Sequence, residues 1–253
     1  MMFKKTLLIA AITLFSAAAA AAFDLGGVIK NSGGDLLKAG TLSEQDVINE
    51  SRSAAKYLDS ENTVDAKNAQ ASKRLDKLVR RVKLPKIKGV KFNFKVYKSA
   101  ADDLNAFALP DGSIRFHSAL MDAMTDDQVL AVIGHEIGHV VEKHSFKQMR
   151  KSLLTSAGIK GAAGQSSAGA AAYNAGAGAL AQKFADASFS KSDEIAADKY
   201  ALKVLKDANA NPEAMLGAIR VLKDKYGNGG GMLSSHPSNK KRIKKLEKAI
   251  AKQ

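Results

Sequence analysis

Two histidines with a glutamate directly after the first are the residues best suited to chemistry in this chain. They form an H-E-x-x-H motif, His135, Glu136 and His139, inside the apolar run Ala131–Val141. On an α-helix, residues four apart differ by roughly 40° in direction and about one turn in height. The two imidazoles therefore project side by side and can reach one metal ion together. Glu136 then stands beside the metal, free to act on a metal-bound water. Unpaired His and Glu among Val, Ile and Ala carry a desolvation cost, which a metal would remove. The motif supplies two ligands, so a third must come from elsewhere.

The stretch Ser190-Lys-Ser-Asp-Glu-Ile-Ala-Ala-Asp198 offers it. Glu194 and Asp198 are four apart on an expected helix and share a face. A carboxylate is an expected third zinc ligand beside two histidines. A second acid one turn on can accept a hydrogen bond from a ligating His and fix its tautomer. Asp193 is the rival ligand, pointing about 100° away from Glu194. Ala196, Ala197 and Ala201 would let this helix press closely on another. His144 lies roughly 140° around a continuous helix from His139, so a three-histidine site is rejected. His236, in the Pro-bounded loop Ser234-Ser-His-Pro237, either lies at the surface or reaches back to the cleft, with Arg242 following.

Thr125 with Gln128 is a capping box for the motif helix, and Asp126 and Asp127 suit its positive end. Before it, Lys91–Tyr97 alternates as a half-buried strand. Asn105–Leu109, the turn Pro110-Asp-Gly112 and Ser113–His117 read as strand, turn, strand. The expectation is a small antiparallel sheet beside the motif helix, with an edge that could pair with an extended peptide. His117 has no partner in view and is read as structural. Earlier helices are expected over Glu44–Leu58, opened by Ser43-x-x-Asp46, and over Val64–Val82. A basic amphipathic helix is expected from Asn239 to Lys252. The fold class is thus α+β, mainly helical: a zincin-type arrangement with a small sheet and a second helix carrying the third ligand.

The N-terminus, Met1-Met-Phe-Lys-Lys5 followed by an apolar run and Ala17–Ala22, reads as a signal peptide over 1–22. A flexible mature N-terminus is expected over 23–40, and one domain built around the H-E-x-x-H motif over 41–253. The Ala/Gly/Ser-rich insert 157–181 is either a poorly ordered connection or a lid or membrane-apposed segment. No cysteine occurs, which excludes disulfides, thiolate metal sites, cysteine nucleophiles and a lipoprotein anchor. The formal charge of +14, two units of which leave with Lys4 and Lys5, suits simple solubility at least as well as contact of an exported chain with an anionic membrane surface or acidic proteins. Nucleic acid is not an expected partner.

His135–His139, the E-x-x-A-D of Glu194–Asp198, the H-P-x-x-x-x-R-I of His236–Ile243 and Asn105–Ala108 occur in the order of a known family. Together they resemble the gluzincin metallopeptidases related to HtpX and the CAAX prenyl protease, in particular the soluble periplasmic LoiP-like and BepA-like branch. The resemblance implies one zinc ion held by His135, His139 and Glu194. It implies Glu136 as the catalytic carboxylate and Asp198 as the supporting acid. His236 would approach the zinc to gate or stabilise the reaction, and Arg242 is a second candidate for stabilising an oxyanion. Asn105, Ala106 and Phe107 would line the edge that receives substrate. The LoiP-like members are lipoproteins with cysteines, and this chain has none. The implied function is zinc-dependent endopeptidase action on unfolded or misassembled envelope proteins. The alternatives are a zinc-containing periplasmic chaperone or assembly factor with little proteolysis, and a purely structural envelope-binding protein.

Overall fold

The computed structural model describes residues 43–163, 188–227, 229–238 and 240–252. The expected signal peptide (1–22), the N-terminus (23–40) and most of the insert 157–181 lie outside the described residues. Helix α1 spans Glu44–Glu61 and starts at the Ser43/Asp46 capping box. Helix α2, Gln70–Val79, is shorter than the apolar spacing predicts. Its expected first turns are extended instead. Val64 bridges Tyr97, Asp65 N–H donates to Val96 O at 2.8 Å, and Lys98 N–H donates to Thr63 O at 2.8 Å. This segment covers the outer edge of the sheet.

The sheet contains β1 (Asn93–Tyr97), β2 (Ala106–Ala108) and β3 (Ser113–His117), in the order β1-β3-β2. β2 and β3 form the expected antiparallel hairpin, but β1 lies parallel to β3, so the sheet is mixed. Alternation reports which face of a strand is buried, not which way the strand runs. β3 is central and buried from Ser113 to Phe116. It carries Arg115 inward, where the guanidinium forms a two-pronged pair with Asp59 of α1 at 2.8 and 3.0 Å.

A short helix α3 (Ser118–Ala123) leads to α4 (Asp126–Val141). The Thr125/Gln128 capping box opens α4, with both reciprocal bonds present. Every residue from Val129 to Val140 is buried, as expected of a helix apolar on all sides. The sheet and α2 cover one side of α4. Helices α6 (Lys191–Asp207) and α7 (Ala214–Tyr226) cover others, and α5 (His144–Ala163) follows it. The short α8 (Met232–Ser235) and the basic α9 (Lys240–Ile250) complete the fold. Among the described residues no helix is long and apolar enough to cross a membrane.

Candidate metal centre

The approach of α6 to α4 is set by residues without bulk. A Cβ on Gly134 would lie 2.9 Å from Ala201 Cα, and one on Gly138 would lie 3.0 Å from Ala197 Cα and 2.9 Å from Tyr200 Cβ. The backbones of the two helices therefore meet, and the start of α6 is carried to the histidine face of α4. The capping box of Ser190 and Asp193 fixes where α6 begins. Glu194 follows within its first turn and faces the imidazole pair.

His135, His139, Glu194 and His236 converge, all buried, with ligand atoms within 4.8 Å of one another. His139 Nε2 and His135 Nε2 are 3.0 Å apart. Glu194 Oε1 is 3.3 Å from His139 Nε2, and its Oε2 is 3.6 Å from His135 Nε2. His236 Nδ1 is 3.2 Å from His135 Nε2 and 3.1 Å from Glu194 Oε1. Donors about 2.0–2.2 Å from a tetrahedral cation stand about 3.3 Å from each other. The spacing, the nitrogen and oxygen donors and their burial all fit one metal ion.

The electrostatics suit the same occupant. Burial pushes the His139 pKa well below its ordinary value, leaving the neutral form that can ligate. Burial alone would raise Glu194, but His236 and Arg242 outweigh it and hold the carboxyl well below its usual range. Burial would lower His236, yet Glu194 and Glu136 together raise it. Glu136 is raised, chiefly by burial. Among the described residues neither Glu136 oxygen has a hydrogen-bond partner, and His236 Nε2 stands 3.6 Å from Oε1.

Asp198 Oδ1 lies 3.0 Å from His135 Nδ1, on the side of the ring away from the cluster. Arg242 meets Asp198 through Nε and Nη2 at 2.6 and 2.7 Å, and Glu194 Oε2 through Nη1 at 2.5 Å. Its Nη1 also donates to His236 O at 3.2 Å. Asn105, Ala106 and Phe107 lie at and beside β2, an outer strand of the sheet that packs on α4. Asn105 O accepts from His117 N–H, and Asn105 Oδ1 accepts from Ala106 N–H.

Three features were not anticipated. His117 has a partner, Asp103 Oδ2, at 2.7 Å from Nδ1. Asp193, the rival ligand, instead caps α6 and faces His144 Nε2 at 3.3 Å. Phe189 stacks on His139 with ring centroids 3.9 Å apart, and its N–H donates to Ser235 O at 2.9 Å. An aromatic residue directly before a capping serine was its only sequence signal. The loop carrying His236 is anchored separately. Met232 N–H donates to Leu104 O at 3.0 Å, and Gly231, at φ +49°, sits against the Tyr226 ring where a Cβ would be 2.4 Å away.

A mainly helical fold with a small sheet and a buried His-His-Glu-His cluster defines a zincin-type metallopeptidase. Comparison with known proteins agrees: the chain belongs to peptidase family M48, which it matches over residues 65–250. It is 34% identical to metalloprotease LoiP of Escherichia coli (strain K12) over 224 residues, spanning 88% of this chain and 87% of that protein. It is 30% identical to metalloprotease YcaL of the same organism over 253 residues, 98% of each. The beta-barrel assembly-enhancing protease of Yersinia pestis is 33% identical over 142 residues, 53% of this chain and 29% of that protein.

Proposed function

We propose that this chain is a zinc-dependent endopeptidase of the bacterial cell envelope that cuts unfolded or misassembled envelope proteins. In this reading 1–22 is a cleaved signal peptide, the mature protein works in the periplasm without a lipid anchor, and 41–253 is one catalytic domain. Kinship with HtpX and the CAAX prenyl protease belongs to the same reading. The name of one relative, the beta-barrel assembly-enhancing protease, supports substrates of that kind. The lysines of α9 suit contact with an anionic membrane surface.

The residues divide the work. His135, His139 and Glu194 would hold the zinc, with His236 beside them where it could approach the ion to gate or stabilise the reaction. When bound, zinc polarises a scissile carbonyl and brings the pKa of a water toward ~7. Glu136 takes the proton from the attacking water and returns it to the leaving amine. Asp198 accepts from His135 Nδ1–H and is itself held by Arg242, which keeps the imidazole turned toward the metal. Asn105, Ala106 and Phe107, beside an edge with no strand on its outer side among the described residues, would receive an extended substrate backbone.

The observation that carries this reading is a four-group cluster sized for one cation with the buried carboxylate of Glu136 beside it, His236 Nε2 standing 3.6 Å from its Oε1. The test offers an unfolded protein to the purified chain with and without a chelator and sequences the fragments by mass spectrometry. Internal cleavage that stops with chelator and returns with zinc is expected. Chelator-insensitive cleavage removes the metal from the reaction. Suppressed aggregation without fragments supports the chaperone reading instead.

A further inference from the structure

The two histidines of the motif are supported differently, and the support of His139 has no assigned role. An imidazole that gives its Nε2 lone pair to a metal carries its proton on Nδ1, and that proton needs an acceptor. For His135 the acceptor is Asp198. His139 Nδ1 instead faces His144 Nδ1 at 3.2 Å. For His144 to accept there, its own proton must be on Nε2, and that nitrogen lies 3.3 Å from Asp193 Oδ1. His144 is only 5% exposed.

The other oxygen of Asp193 accepts the Ser190 N–H at 3.2 Å, closing the capping box at the start of α6. One carboxylate thus fixes where the Glu194 helix begins and also anchors the chain of imidazoles ending at His139. The backbone makes this possible at Lys143, whose φ of 58° breaks α4 from α5 and swings His144 back over the outer side of His139. A continuous helix would have pointed His144 away.

We infer that His144 and Asp193 form a hydrogen-bonded relay, His139 Nδ1–H to His144 Nδ1 and His144 Nε2–H to Asp193, that orients His139 for the metal. Both are positioning residues: neither touches the metal or substrate. The inference rests on the metal-binding reading above and adds to it that zinc retention depends on groups outside the donor set. Outer partners of this kind change metal affinity by about 10–100-fold.

The experiment measures zinc affinity of the full chain by competition with a chromophoric chelator, and the thermal midpoint of each metal-free protein. His144→Ala is expected to weaken zinc binding by about 10–100-fold with little change in the metal-free midpoint. His144→Asn, whose amide oxygen can accept near the place of Nδ1, should recover most of the loss. Asp193→Asn keeps the size of the side chain and a capping acceptor but not the charge. It should weaken zinc binding by about tenfold, and it carries the test should His144→Ala fail to fold. Zinc affinity within twofold of wild type in the folded variants would overturn the relay. A wild-type chain that binds no zinc while His139→Ala behaves identically would instead overturn the metal-binding reading itself.

Discussion

Glu136 is fully buried, and among the described residues neither of its oxygens has a hydrogen-bond partner, so the group lies open to a proton-transfer role beside the cluster. In the proposed reaction that role contributes about 10²–10⁴-fold to the rate. Glu136→Gln keeps the shape and removes the basicity. Cleavage of an unfolded substrate is expected to fall by at least about a hundredfold, while elemental analysis still finds one zinc per chain. A zinc-loaded variant that cuts at near wild-type rate would take Glu136 out of the role. His135, Glu136 and His139 were legible in the sequence because they share one helical turn. His144 was not, because its reading assumed a continuous helix where Lys143 breaks it. Phe189 was not, because its contact with His139 spans 50 residues of chain.

At the level of elements, the centre depends on how closely α6 lies on α4. Gly138→Ala offers a test in which two effects compete. Replacing a helical glycine with alanine gains about 1 kcal/mol of helix propensity. Forcing a methyl into a packed contact costs about 1–3 kcal/mol. Here the methyl would meet Ala197 Cα and Tyr200 Cβ, atoms that cannot rotate away, so the cost should win. Denaturant unfolding is expected to show lower stability, with zinc affinity falling as α6 carries Glu194 outward. Gly229→Ala is the control. Its Cβ would meet nothing within 4 Å and its φ lies outside the left-handed region, so stability should hold. Equal losses at both glycines would show that close helix approach is not what matters. The alanines of α6 signalled that approach in the sequence. Strand direction and the extended segment at Val64 left no such mark, because both are set by pairing across the sheet.

Across the whole molecule, ties between distant segments hold the frame around the centre. Asp59 of α1 accepts from Arg115 of β3 and from Lys95 and Tyr97 of β1, the last two at 2.7 and 2.8 Å. Burial pushes its pKa up, but the bonds to Arg115, Lys95 and Tyr97 together outweigh that and hold it below its ordinary value. A lowered folded-state pKa means that the stabilisation is fully present above the unfolded value and is lost as pH falls through the folded one. Asp59→Asn should therefore cost about 3 kcal/mol at neutral pH. The gap to wild type in urea unfolding should stay constant down to about pH 4 and narrow below it. A gap independent of pH would assign the loss to packing. A metal ion held by the cluster would be the second tie, joining α4, α6 and the loop at His236, segments far apart in sequence. A ligand that binds only the folded chain adds about 2.7 kcal/mol when present at a hundred times its dissociation constant. For a domain of this size that is a rise of roughly 5–10 °C in thermal midpoint. Chelator should remove it, zinc should restore it, and Glu194→Ala should show little response to either. An identical midpoint with and without zinc would mean that no ion joins these segments, and the cluster would then be held by its own ion pairs alone.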